Sequence, residues 1–108
     1  MDRAVRDWIR LESAQHSGLC KLAYFGSYAR GDWGVGSDLD LVAVVRESPE
    51  PFHRRARAWD LSGLPVHADL LISTLEEWDR LMAGNTLLAC TLEREAIWVY
   101  PSEAAATR

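Results

Sequence analysis

The sequence feature that most restricts the fold is a pair of aspartates, Asp38 and Asp40, at the start of an apolar segment that ends at Val45. Alternate residues of a strand point to the same face, so both carboxylates project from one face with their backbones about 6 to 7 Å apart. At an effective dielectric near 20, two such charges repel by about 2 to 3 kcal/mol, out of the roughly 5 to 15 kcal/mol that stabilises a domain. A fold that keeps this pair must therefore compensate the repulsion.

A third aspartate, Asp69, lies inside the apolar segment 66–72, which is predicted to be a strand. Aspartate is unfavourable in the middle of a strand, so its presence there needs a reason. If the strands that carry Asp40 and Asp69 are neighbours, the three carboxylates converge on one patch. Hard divalent cations with oxygen ligands compensate such a patch, which makes Asp38, Asp40 and Asp69 candidate ligands of Mg²⁺, with Mn²⁺ as a substitute.

A glycine turn precedes the carboxylates. The strand predicted over 19–25 stops at Gly26 and Ser27, and Ser27 is expected to be the N-cap of a helix that begins with the sequence SYAR. A helix start presents unpaired N–H groups and a positive dipole end, which suit a phosphate. Two cations about 3.5 to 4 Å apart, facing such a turn, would activate a hydroxyl and stabilise a leaving pyrophosphate. Arg30 could also contact a triphosphate, or could be a solvated residue at the helix end.

The rest of the chain alternates between helical and strand patterns. Helices are predicted over 2–14, 52–61, 74–84 and 86–94, and strands over 19–25, 38–45, 66–72 and 96–100. In the second helix, Arg54, Arg55 and Arg57 are expected to face outward, with contact to a partner or an RNA phosphate as the alternative. These patterns predict an α/β (α+β) fold with a mixed sheet of about four strands, helices on one face and the carboxylates on the other.

Length and charge limit the remaining possibilities. The 108 residues are expected to form one domain, 1–108, with the motif-bearing core at 19–72 and a frayed tail at 101–108. One core leaves no room for a second lobe over a substrate. Sixteen acidic and twelve basic residues give a net charge of −4, which disfavours direct nucleic-acid binding. A charged N-terminus and the lack of a long apolar segment predict a cytoplasmic protein without a membrane partner.

The spacing of these residues carries a family resemblance. Gly26 and Ser27, ten intervening residues and then the Asp-Leu-Asp of residues 38–40, together with a later strand aspartate, resemble the DNA polymerase β nucleotidyltransferase superfamily. The form GSYARG…SDLDLVAVV is similar to its minimal nucleotidyltransferase (MNT) branch, over residues 19–72. Neither a GxGxxG pattern nor a GK[ST] motif is present, so Rossmann and P-loop chemistry are not supported.

The resemblance implies a role for each matched residue. It implies that Gly26 and Ser27 bind the nucleotide phosphates, that Asp38 and Asp40 are metal ligands, and that Asp69 helps to deprotonate the attacking hydroxyl. It also implies transfer of AMP from ATP, in the manner of the MNT antitoxin of HEPN–MNT toxin–antitoxin pairs, to a tyrosine of a separate, helical HEPN ribonuclease. Three alternatives remain: an aminoglycoside-type nucleotidyltransferase, a binding partner without catalysis, and an RNA-modifying enzyme.

Two further residues near the motif have open roles. Trp33 lies in the loop between the glycine turn and the carboxylates, where it could stack on a base, dock a partner or pack within the loop. His67 is expected to share a face with Asp69. Because magnesium prefers oxygen ligands, His67 is expected to form a hydrogen bond beside the site and not to bind the metal.

Overall fold

The computed structural model describes residues 1–101, so the frayed tail predicted over 101–108 lies outside the described residues apart from Pro101. The helices are α1 (Asp2–Glu12), α2 (Ser27–Arg30), α3 (Leu75–Ala83) and α4 (Leu87–Glu95), with 3-10 helices at Ser13–Gln15 and Phe52–Ala58. The strands are β1 (Leu19–Phe25), β2 (Leu39–Val45), β3 (Ala68–Thr74) and β4 (Ile97–Tyr100). Over this range of the chain, no helix has the length and apolar character needed to cross a bilayer.

The four strands form one mixed sheet in the order β3-β2-β1-β4. β1 is antiparallel to both β2 and β4, whereas β2 and β3 are parallel. The parallel pair starts at the same edge of the sheet, with Leu39 opposite Ala68 and Asp40 opposite Asp69. The predicted α/β class and the mixed sheet of four strands are therefore confirmed, and the carboxylates of both strands lie at one edge.

Helices cover both faces of this sheet, which corrects the prediction of helices on one face. Val5, Trp8 and Ile9 of α1 pack on the face that includes Leu39 and Leu41 of β2. On the opposite face, Trp78 of α3 and Leu92 of α4 pack against the alternate β2 residues Val42 and Val44. The sequence carried this signal, because a strand that is apolar at consecutive positions is typical of burial on both faces. Asp40 has the same parity as Val42, so the carboxylates lie on the face of α3 and α4.

The segment 52–61 also differs from its prediction. It forms a 3-10 helix at Phe52–Ala58, and the Phe52 ring is 53% exposed. Arg55, expected to face outward, has a side chain only 8% exposed. Its guanidinium donates hydrogen bonds to the Glu77 carboxylate at 2.6 Å and to the Ile72 carbonyl at 3.1 Å. The buried Arg55 side chain holds the segment against the domain together with Ala56 and Trp59, which pack in the core. Arg54 and Arg57 are exposed as predicted.

Candidate active site

The three predicted carboxylates meet at the starting edge of the β2–β3 pair. Asp38 directly precedes β2, and Asp40 and Asp69 lie opposite each other in the parallel register. The Leu39 amide at the start of β2 donates to the carbonyl of His67, just before β3, at 2.9 Å, which brings the starts of the two strands together. The strands that carry Asp40 and Asp69 are therefore neighbours, as the predicted convergence of the three carboxylates required.

Within this edge, the tightest group consists of Asp38, His67 and Asp69. One potential ligand atom of each lies within 4.8 Å of the others, and all three residues are exposed. His67 Nδ1 is 3.3 Å from Asp38 Oδ1, the hydrogen-bonded position expected for this histidine. Two carboxylates and an imidazole at this spacing could hold a hard divalent cation through the carboxylate oxygens.

Asp40 is placed differently from the other two aspartates. Its carboxylate packs against Gly26, so closely that a Cβ at position 26 would overlap Asp40 Oδ2. The pKa of Asp40 is raised above its ordinary value, first by burial and then by the negative charges of Asp69 and Asp38, while Arg30 partly opposes the shift. The negative charges of Asp38 and Asp69 therefore repel the Asp40 carboxylate, and a cation at this edge would relieve the repulsion among the three.

The glycine turn joins β1 to α2 directly beside Asp40. Gly26 has φ 78° and ψ −150°, a conformation essentially restricted to glycine. Gly26 is itself the N-cap of α2, and the Ser27 side chain makes no capping hydrogen bond, so the prediction of Ser27 as N-cap is wrong. The reason is the sharp reversal at Gly26, which places Ser27 already inside the helix. The backbone N–H groups of the first helical turn begin at this point.

Arg30, the last residue of α2, is held by two carboxylates. Its Nε donates to Asp32 Oδ2 at 3.0 Å and its Nη1 donates to Glu95 Oε1 at 2.9 Å. These two hydrogen bonds raise the pKa of Arg30 above its usual value. Sequence reasoning singled out Arg30 but missed Glu95, because the two residues are 65 positions apart and no local pattern links them.

An aromatic pair supports the loop that leads to the carboxylates. The exposed Trp33 ring stacks on Tyr28, with ring centroids 5.4 Å apart and planes 19° apart. Tyr28 in turn donates its hydroxyl hydrogen bond to the Ser37 carbonyl, directly before Asp38, at 3.3 Å. Loop packing of Trp33 is thus observed, and its outer face stays open to solvent.

The chain is similar to known nucleotidyltransferase domains in sequence and in fold. The family model that describes a nucleotidyltransferase domain matches residues 7–97. A crystal structure from Sulfolobus solfataricus, provisionally named a nucleotidyltransferase, shares 18% identity with a TM-score of 0.62, over 91% of this chain and 78% of that one. The structure of a toxin–antitoxin with AMP-PNP shares 14% identity with a TM-score of 0.57, over 98% of this chain and 77% of that one. No curated protein matches significantly. On the family match, which spans most of its length, the chain belongs to the nucleotidyltransferase domain family and is a nucleotidyltransferase.

Proposed function

We propose that the protein transfers AMP from ATP, with the help of divalent metal ions, to a tyrosine hydroxyl of a separate helical HEPN-type toxin, and so acts as its antitoxin. The observation that carries the proposal is the meeting of Asp38, Asp40 and Asp69 at one sheet edge, directly beside the Gly26 turn. A pure binding module gains no stability from carboxylates that repel one another. Clustered carboxylates next to a turn suited to phosphates are what nucleotidyl transfer requires.

Asp38, Asp40 and Asp69 are the residues that would hold two Mg²⁺ ions, or Mn²⁺ in their place. The spacing of the Asp38 and Asp69 oxygens and the raised pKa of Asp40 fit such a hard cation. When bound, the ions would supply positive charge for the triphosphate and for the departing pyrophosphate. Gly26, Ser27 and Arg30 would bind the phosphates.

The proposed reaction is a single exchange at the α-phosphorus. The acceptor oxygen forms a bond to this phosphorus while the bond to the bridging oxygen of the β-phosphate breaks, and pyrophosphate leaves. Asp69 is proposed to take the hydroxyl proton, and the products are a phosphodiester-linked AMP and pyrophosphate. The position of the acceptor oxygen in line with the leaving group accounts for much of the rate in such chemistry.

The nature of the acceptor has separate support. One structure with the same fold is a toxin–antitoxin with AMP-PNP, which favours ATP as the donor and a protein as the partner. The Asp38 side chain is 51% exposed, so a hydroxyl carried by another molecule can approach it. The net charge of −4 disfavours an RNA acceptor. Two cysteines that form no disulfide agree with the proposed cytoplasmic location.

The test is transfer of label from ATP labelled at the α-phosphate, with the purified toxin as acceptor. We expect the double substitution Asp38→Asn and Asp40→Asn to abolish transfer, and Ser27→Ala to reduce it less. Asp79→Asn on the exposed side of α3 is the matched control for loss of one acid and should retain transfer. Undiminished transfer by the double variant, with its fold verified by circular dichroism, would contradict the proposed site. A toxin restrained equally well by that variant would show that restraint comes from binding and does not need transfer.

A further inference from the structure

The guanidinium of Arg30 is shared by two carboxylates in very different settings. Asp32 lies in the exposed loop after α2, and its side chain is 60% exposed. Glu95 is the last residue of α4, and its side chain is only 18% exposed. An exposed ion pair on a loop contributes little and exchanges readily, whereas a partner fixed at the end of a packed helix is retained.

We propose that Glu95 is a positioning residue that orders the Arg30 side chain for contact with the nucleotide phosphates. Asp32 then occupies the hydrogen-bonding position on Arg30 that a phosphate oxygen takes when ATP binds. This inference rests on the proposed nucleotide-binding function and names a residue of that site that lies far from the motif in sequence. It assigns opposite effects on ATP binding to two carboxylates that touch the same side chain.

The geometry of the guanidinium separates the two partners. Nε and Nη2 form one edge of the group, and this edge matches two phosphate oxygens. Asp32 binds that edge through Nε, while Glu95 binds Nη1, on the other side. A phosphate can therefore replace Asp32 without disturbing the bond to Glu95.

The placement of Glu95 explains why it can act as a support. Leu92, one turn earlier in α4, is buried in the core, and the Ala96 amide just after Glu95 donates to the Leu92 carbonyl at 3.0 Å. A long arginine side chain loses rotamer freedom when it binds phosphate, and a partner that orders it beforehand removes part of that loss. Arg30 also lies close enough to the carboxylate edge for its charge to lower the pKa of Asp40.

The experiment measures the dissociation constant of Mg·ATP by calorimetry for the full chain and four single variants. We expect Glu95→Ala to weaken binding by about three- to tenfold, because a charge-assisted hydrogen bond is lost. Glu95→Gln, which keeps the acceptor oxygen, should weaken it less. Asp32→Ala should tighten binding by about two- to threefold, the scale of an exposed ion pair. Glu93→Ala, which removes one exposed acid from the same helix, is the control and should leave binding unchanged.

A second set of variants tests whether both carboxylates act through Arg30. In an Arg30→Gln background, Glu95→Ala and Asp32→Ala should no longer change the dissociation constant, a result that general loss of structure or charge would not produce. Wild-type binding with no weakening by Glu95→Ala and Glu95→Gln, or weakening that persists in the Arg30→Gln background, would overturn this inference alone. A wild-type protein that does not bind Mg·ATP would overturn the proposed function and this inference together.

Discussion

At the scale of single residues, Asp40 lies in an unfavourable position for a carboxylate. Burial and the charges of Asp69 and Asp38 raise its pKa above the ordinary value of 3.8. The folded protein therefore binds a proton at Asp40 more tightly than the unfolded chain does. Since the neutral form is favoured by folding, this group destabilises the fold once the pH exceeds the raised folded pKa, and the effect disappears below 3.8.

We expect Asp40→Asn to raise the melting temperature at pH 7 by up to about 5 °C, because the substitution removes the ionised group. The gain should shrink as the pH falls towards about 4, because the raised pKa makes the native carboxyl take up its proton at a higher pH than an ordinary aspartate does. Thermal unfolding followed by circular dichroism at both pH values measures this difference. Asp79→Asn, on the exposed surface of α3, should show neither effect. An unchanged or lower melting temperature of the Asp40 variant at pH 7 would contradict the argument.

The turn at Gly26 supplies a second test at the same scale. Gly26→Ala would combine a backbone conformation that alanine rarely adopts with an overlap between its Cβ and Asp40 Oδ2. We expect a loss of stability of about 2 to 4 kcal/mol. In an Asp40→Ala background the overlap is absent and only the backbone strain remains, so the loss should be smaller. Urea unfolding of the four proteins gives this coupling, and equal losses in both backgrounds would show that the two residues act independently.

Single residues also show where sequence reasoning succeeds. Asp38 and Asp40 could be predicted to share a face because strand side chains alternate with a period of two, which needs no knowledge of the partner strand. Their convergence with Asp69 depended on β2 and β3 being neighbours, which the sequence left open and the parallel register shows. Ser27 was misassigned because a helix start in the sequence does not reveal which residue makes the reversal. Glu95 could not be found at all, since its contact with Arg30 depends on how α4 packs against the end of α2.

At the scale of secondary structure elements, the strands were predictable and the segment 52–61 was not. All four strands lie within two residues of their predicted bounds, because each is an apolar segment closed by glycine, proline or charge. Thr74 and Glu77 form a capping box at the start of α3, where the predicted helix 74–84 begins. In the segment 52–61 the expectation that Arg55 faces outward was wrong, because a long-range ion pair with Glu77, which no periodicity encodes, holds its side chain against the domain.

This ion pair predicts a pH-dependent contribution to stability. The Arg55 guanidinium lowers the pKa of Glu77 from 4.5 to about 2, so the contribution is present above 4.5 and is lost as the pH falls towards 2. We expect Arg55→Ala to lower the free energy of unfolding by about 1 to 3 kcal/mol at pH 7, because the Ile72 carbonyl loses its donor as well. Urea unfolding at pH 7 and pH 3 should show a smaller loss at the lower pH. The exposed Arg54→Ala is the control, and an equal loss for both arginines would argue against the pair.

At the scale of the whole molecule, charge sets the conditions for ligand binding. A chain with a net charge of −4 and carboxylates gathered at one sheet edge repels a triphosphate. We therefore expect ATP binding to require Mg²⁺ or Mn²⁺ and to disappear in the presence of a chelator. Calorimetry with and without chelator measures this dependence. A third measurement with Ca²⁺, a larger cation that takes more oxygen ligands than Mg²⁺, shows how far binding depends on the size of the ion. Equal affinity under both conditions would remove the argument for metal ions at Asp38 and Asp69.

The openness of the same edge leads to the last prediction, which concerns the acceptor. Because the carboxylates are exposed, an acceptor hydroxyl must be held in line with the α-phosphate by the molecule that carries it. A helical partner that binds stably and presents its own tyrosine would meet this requirement, whereas a freely diffusing small molecule would be positioned poorly. We expect ATP and Mg²⁺ to add the mass of one AMP, less one water, to the partner, and a partner with that tyrosine changed to phenylalanine to stay unmodified. Intact-mass spectrometry measures both. An unmodified partner together with efficient modification of an aminoglycoside would show instead that the exposed edge serves a small-molecule acceptor.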